Sequence, residues 1–270
     1  MGMLHAVLDG AITVVANGVR WYYLWLKGLV LRRSSCGKIA LLDERYLASL
    51  GHQTGKRIVC LPDITSIEVS DPSPELVGRI SRLKQGSVVV GLLGELSRRK
   101  GLHLLLDVLQ YQDTDGLFFV IAGACDPGSL SVSQRAFLEK GINERKNVIF
   151  SPGSIPSESD FNAIVNCCDL LYCVYQDHLH SSNVISKAAA FRKPVLVTSG
   201  ELMAKRVEDY QMGAVLTERT SEACIKALRR MGSPEYLKNI QVTAQFTRYM
   251  KDQSVEKLNQ VVASLAVDEA

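Results

Sequence analysis

Two short stretches of this chain carry side chains suited to meeting a polyanion. The first, Gly94-Glu95-Leu96-Ser97-Arg98-Arg99-Lys100-Gly101, holds three consecutive cations and is bounded by glycines. It leaves a strand-like apolar run and enters a helix-like one. Glycine lets the backbone approach a ligand closely, and Lys100 at a helix start would meet a phosphate where the helix dipole also favours negative charge. The second, Asp177-His178-Leu179-His180-Ser181-Ser182-Asn183, places small polar residues before another helix. Unpaired N–H groups point outward at such a helix start and make an anion site. Each stretch has a plainer alternative: a solvated basic turn for the first, simple capping by Ser182 or Asn183 for the second. His178 and His180 are metal-ligand types without a third ligand at a recognisable spacing, so no metal is expected. Neither loop shows a nucleophile with an adjacent base and an orienting group. Glu201 and Lys205, four residues apart, read as a surface ion pair rather than an acid–base couple.

The elements that must position these loops follow from periodicity. From residue 87 onward short apolar runs alternate with amphipathic segments, the pattern of a parallel sheet covered by helices. Strands are predicted at 87–94, 117–123, 147–153, 170–175, 194–198 and 214–216. Helices are predicted at 101–112, 129–140, 157–167, 183–192, 201–211 and 220–231. Six β/α repeats in this span fill one Rossmann-like domain. Ser157, three residues before Asp160, and Ser129 are read as helix caps. Before residue 65 the pattern is less regular: a hydrophobic opening, an aromatic-basic segment, then strands at 38–43 and 57–62 around a helix. Asp71, Pro72, Ser73 and Pro74 read as a linker. The division expected is a partial amino-terminal remnant and linker over 1–75 and a Rossmann-like domain over 76–270. Two helices, 233–242 and 245–265, are predicted to end the chain.

Composition narrows the classes. Of 270 residues, 31 are Lys or Arg and 28 Asp or Glu, and a formal net charge of only +3 argues against a dedicated nucleic-acid binder. An apolar fraction of 47% with 22% charged residues fits a packed protein and excludes a disordered or disulfide-framework chain. The seven cysteines are odd in number and several lie in apolar runs, which reads as reduced, buried thiols in a cytoplasmic setting. Asp9 interrupts the first apolar stretch, so no secretory signal is expected there. Arg20, Lys27, Arg32 and Arg33 break the run that a spanning helix would need. Between them, Trp21 and Trp25 beside basic residues suit a peripheral contact at a lipid interface, or an aromatic face packed on the fold.

The two loops, together with the order of apolar blocks around them, resemble the carboxyl-terminal, donor-binding half of GT-B glycosyltransferases of the retaining group. The matching blocks are Val88-Val89-Val90-Gly91-Leu92-Leu93-Gly94, Lys100-Gly101-Leu102, Phe119-Val120-Ile121-Ala122-Gly123, Asn147-Val148-Ile149-Phe150-Ser151-Pro152-Gly153 and Cys168-Asp169-Leu170-Leu171. They continue through Ser182-Asn183-Val184-Ile185-Ser186-Lys187-Ala188-Ala189-Ala190, Lys193-Pro194-Val195 and Gly213-Ala214-Val215. The fold this implies is α/β, a Rossmann-like doubly wound parallel sheet of GT-B donor-domain type, with an incomplete amino-terminal extension.

What the resemblance implies about function is transfer of a sugar from a nucleoside-diphosphate sugar to an acceptor, with no cofactor beyond that substrate. The donor diphosphate would lie against Gly94, Lys100, Ser181, Ser182, Asn183 and Val184. The family holds the diphosphate with a basic pair, and Lys100 matches its lysine while Glu95 stands where its arginine is expected. The family's acidic pair, spaced E-x7-E, holds the sugar and ribose; here Leu179 and Lys187 replace it, and an ammonium can only donate where a carboxylate would accept. About 60 residues precede the linker, too few for a second Rossmann-like domain. The resemblance therefore implies a truncated member, a cleft completed by a second polypeptide or oligomer, or a non-catalytic donor-domain module acting as a binding or scaffold partner. The segment 245–265 resembles the family's terminal crossover helix.

Overall fold

A computed structural model describes residues 4–6, 12–15, 32 and 37–266; Trp21, Trp25 and Cys36 lie outside them. The described elements begin with β1 (Leu4–Ala6), β2 (Ile12–Val15), β3 (Lys38–Leu41), α1 (Leu47–Thr54) and β4 (Arg57–Cys60). Helix α2 (Glu75–Leu83) precedes β5 (Val88–Leu93), α3 (Leu102–Tyr111), β6 (Leu117–Gly123), α4 (Val132–Ala136) and β7 (Val148–Pro152). Then come α5 (Glu158–Cys167), β8 (Leu170–Cys173), α6 (Asn183–Ala190), β9 (Val195–Thr198), α7 (Leu202–Asp209), β10 (Gly213–Leu216) and α8 (Ser221–Met231). The chain closes with α9 (Pro234–Thr243), α10 (Phe246–Asp252) and α11 (Val255–Ala266).

These elements fall into two compact units. One comprises residues 1–65, 178–183 and 250–270, the other 66–177 and 184–249. The first unit holds a four-stranded sheet in the order β1-β2-β3-β4, antiparallel between β1 and β2 and parallel elsewhere. Ile39, Leu41 and Leu50 form its small core, with Tyr46, Leu47 and Ile58 packed on them. Strands β3 and β4 around α1 lie where the sequence places them, and the hydrophobic opening contains β1 and β2, which periodicity alone did not resolve.

In the second unit six strands, all parallel, run in the order β10-β9-β8-β5-β6-β7. This is the doubly wound arrangement expected, with helices following every strand. All seven residues of β6 are buried, as a strand covered on both faces requires. Val90, Leu92, Phe119 and Ile121 pack with Leu105 and Leu109 of α3 and Leu228 and Met231 of α8. Each fully buried side chain of this kind contributes about 1.5–3 kcal/mol over an exposed one. Asp169 ties the middle of the sheet together: its carboxylate accepts from the Val89 N–H at 2.8 Å, joining the start of β8 to β5.

Four local expectations need correction. The helix expected at 129–140 starts at Val132, because Ser131 and Gln134 form a reciprocal capping box. Ser129 instead donates to Asp126 O and accepts from the Arg98 N–H, both at 3.0 Å. Strand β8 stops at Cys173, since the Tyr175 N–H turns back onto Cys173 O at 2.8 Å. The long terminal helix is two helices: Ser254 Oγ accepts from the Lys257 N–H and starts α11, while Gln253 Oε1 accepts from the Asp63 N–H. Ser157 caps α5 as read, accepting from the Asp160 N–H at 3.0 Å. Among the described residues six cysteines are free, and burial pushes the Cys173 and Cys224 thiols up to about 12, which keeps them unreactive. No helix of the described residues is long and apolar enough to cross a membrane.

Candidate functional site

In the second unit the chain winds outward in both directions from β5. Strand β5 pairs with β6 on one side and β8 on the other, so the reversal of strand order lies between β5 and β8. Ligands of open α/β sheets bind beyond the carboxyl ends of the strands at that reversal. The segments that leave there are residues 94–101 after β5 and residues 174–177 after β8.

The 94–101 loop is tightly formed. Gly101 is the cap of α3 with φ +82°, and a Cβ there would lie 2.2 Å from the Val174 carbonyl oxygen. Only glycine meets both demands. Gly123 at the end of β6 gives the same latitude to Gly94, whose carbonyl oxygen would lie 1.6 Å from a Cβ on Gly123. Helix α3 has no side-chain cap; the Leu102 N–H donates to Ser97 O at 3.2 Å, and the N–H groups that follow are left for other acceptors. Ser97 is buried beside Glu95, and its hydroxyl helps hold the Glu95 carboxyl below the usual carboxylate range.

The three cations of this loop differ in their surroundings. Arg99 pairs with Glu95 at 2.6 Å, both half exposed, so the carboxylate that replaces the expected arginine neutralises its neighbour. Lys100 is half-buried, with its ammonium 4.0 Å from the centre of the Tyr175 ring. Burial holds the Lys100 ammonium below the ordinary lysine range, with the Arg99 charge adding to the effect and Cys173 and Glu95 opposing it. This departs from a solvated turn. Tyr175 was not evident from the sequence; the signal was the order of the blocks, since adjacency of β5 and β8 brings the end of β8 to the loop after β5.

The remaining hydroxyl loop belongs mostly to the first unit, which contains Leu179, Ser181, Ser182 and Asn183, whereas Gly94, Lys100, Val184 and Lys187 belong to the second. Within the first unit Arg45 donates to Leu179 O at 2.9 Å while its guanidinium also pairs with buried Asp43 at 2.8 Å. Ser181 Oγ donates to the Asp63 carboxylate, and His178 Nε2 lies 3.2 Å from Ser181 O. His178 and His180 meet edge to face at 6.1 Å. Among the described residues no three His, Cys, Asp or Glu side chains gather as a metal-ligand set.

Lys187, on α6, is buried, and its ammonium is held by Glu158 Oε1 and Asn162 Oδ1, both at 2.7 Å. Asn162 in turn donates to Ser66 O and Glu68 O at 3.1 and 2.7 Å. These bonds fasten α6, α5 and the segment 66–68 to one another. Lys205 also bonds Asp209 at 2.5 Å, one helical turn onward.

A sequence profile described as glycosyl transferases group 1 matches residues 78–252, well over half of the chain. No curated protein sequence matches at a significant level. Among solved structures, WaaG, a glycosyltransferase involved in lipopolysaccharide biosynthesis, is 18% identical with a TM-score of 0.66, over 96% of this chain and 75% of WaaG. HepE from Anabaena, in complex with UDP and glucose, is 19% identical with a TM-score of 0.67, over 91% of this chain and 67% of HepE. Sucrose-phosphate synthase from Thermosynechococcus elongatus is 15% identical with a TM-score of 0.65, over 91% of this chain and 61% of the synthase. At these identities the likeness establishes the fold, which is that of GT-B proteins.

Proposed function

The chain belongs to the glycosyl transferases group 1 family, and from that membership we propose that it binds a nucleoside-diphosphate sugar at the carboxyl ends of β5 and β8 and transfers the sugar with retention. The observation that carries this reading is the half-buried Lys100 ammonium at the start of an uncapped helix, where the strand order reverses. Such a site meets the charge that develops on a departing diphosphate, and fixed donors aimed at developing charge are usually the largest catalytic contribution. HepE, whose fold this chain shares, is a structure with UDP and glucose bound, which supports a nucleotide sugar as the ligand class. Gly94 and Val184, in the same unit as Lys100, would border that diphosphate. The acceptor side would come from elsewhere in the chain, or from a second polypeptide or oligomer. Trp21 and Trp25 would add a peripheral membrane contact to a protein of the cytoplasm.

A second reading, a donor-fold module that binds or scaffolds without turnover, is favoured by one observation. Lys187 stands where the resemblance places a carboxylate, and its ammonium is bonded to Glu158 and Asn162. Calorimetric titration with nucleoside diphosphates tests the reading common to both. Binding is expected, and Lys100→Ala should weaken it by about 1–3 kcal/mol, the range for a hydrogen bond to a charged group. Unchanged affinity in that variant removes Lys100 from the site. Release of free sugar from a nucleotide sugar, followed by NMR for an anomer of unchanged configuration, separates the retaining enzyme from the module.

A further inference from the structure

The end of β8 does more than border the loop after β5; it shapes it at successive points. Tyr172 donates from its hydroxyl to Gly101 O at 3.1 Å. Gln176 donates from its backbone N–H to Arg99 O at 2.7 Å. The Val174 carbonyl fills the space that a side chain at 101 would need. Between these backbone links the Tyr175 ring lies under the Lys100 ammonium at 4.0 Å. That ring is itself fixed: Tyr175 is 4% exposed, and its carbonyl accepts from Thr198 Oγ1 at 2.8 Å.

We infer that Tyr175 is a positioning residue, whose ring face holds the Lys100 ammonium in place for an anionic ligand and which acts on that ligand through the lysine alone. A lysine side chain carries about 2 kcal/mol of rotamer entropy, most of which is lost when it engages a phosphate from a freely moving start. Lys100 starts from a restricted position, because a ring quadrupole attracts a cation over its face. Burial disfavours the charged form, and a ring face beneath the ammonium favours it. Among the described residues no hydrogen bond engages the Lys100 ammonium, which leaves its three donors available to a ligand. The ring takes the place that a carboxylate would have in an ion pair. It orients the cation without neutralising it, and a diphosphate arriving at the site meets the full charge.

The inference rests on the proposed contact between Lys100 and the donor diphosphate, and a double-mutant cycle tests the two separately. UDP and inorganic pyrophosphate are titrated calorimetrically into the wild type, Lys100→Ala, Tyr175→Leu, Tyr175→Phe and the Lys100→Ala/Tyr175→Leu pair. Tyr175→Leu is expected to weaken binding roughly two- to thirty-fold, the span of cation–π contacts from exposed to desolvated sites. Tyr175→Phe keeps the ring face and should stay within about two-fold of the wild type. In the Lys100→Ala background, Tyr175→Leu should change affinity by less than about two-fold, because the two residues act as one unit. A loss of equal size in both backgrounds overturns the inference and leaves the diphosphate site standing. Equal binding by wild type and Lys100→Ala, or none by the wild type with either probe, overturns the site and the inference together. Should Tyr175→Leu fail to fold, the free protein still decides: the Lys100 ε-methylene protons should show a ring-current upfield shift in the wild type and in Tyr175→Phe. Ordinary lysine shifts there would disprove the contact.

Discussion

Lys100 is the residue on which the most chemistry converges, and its state is set by burial more than by any partner. Desolvation disfavours the ammonium, so the free protein releases this proton below the ordinary lysine value of 10.5. A bound diphosphate favours the charged form and moves the titration back up. Affinity is therefore full while the free lysine is charged and falls as pH rises through its lowered value. Calorimetry from neutral pH up to the ordinary lysine value of 10.5 should show that decline setting in below where a free lysine titrates, and Lys100→Arg, which stays charged throughout, should abolish it. A flat profile in the wild type would place the charge elsewhere. Lys100 was singled out in the sequence by its place after a strand and before a helix, with a solvated basic turn as the plainer alternative. Tyr175 was not, because its role exists only once β8 lies beside β5. Lys187 was legible as a departure from an acidic pattern, while its partners Glu158 and Asn162 sit on another helix and gave no local signal.

At the scale of elements, the sequence located five of the six strands of the second unit to within one residue at either end, all but β8. Strand β6, apolar throughout, was placed at its observed limits, and β5 and β7 within one residue at either end. Boundaries failed where a side chain competes for the backbone: Ser131 rather than Ser129 begins α4, and Ser254 divides the terminal helices. The turn after Cys173 was hidden because Val174 and Tyr175 suit a strand as well as any neighbour. Close packing of that turn on the loop after β5 makes Gly101 hard to replace. Gly101→Ala would combine a left-handed backbone with a methyl group 2.2 Å from Val174 O, whereas Gly116→Ala, at φ +78°, meets no atom within 4 Å. The second substitution should cost about 1–2 kcal/mol from backbone strain alone. The first should cost more by at least about 1 kcal/mol, as overpacking in a filled site does, in urea denaturation with an unchanged slope. Equal losses would mean that β8 does not press on the loop as described.

For the whole molecule, the question is which properties travel with a chain that spans 61–75% of the length of the three structural relatives compared above. The six-stranded sheet, the strand reversal and both segments that leave it lie within the matched residues 78–252. Donor binding should therefore persist whether or not an acceptor side is supplied. Turnover needs the acceptor side as well, which makes binding the property to measure first. Any ligand that binds only the folded state stabilises it by mass action, by about 2.7 kcal/mol at a hundredfold excess over Kd. For a folding unit of this size, that corresponds to a rise in melting temperature of roughly 5–11 °C. Nucleoside diphosphates should produce such a rise, and Lys100→Ala should reduce it at the same ligand concentration. Nucleoside monophosphates should produce less, because they lack the second phosphate for the lysine to meet. A folded protein whose melting temperature ignores every nucleotide at millimolar concentration would mean that Lys100 and the start of α3 serve no donor phosphate, and the scaffold reading would then be the one the family membership leaves.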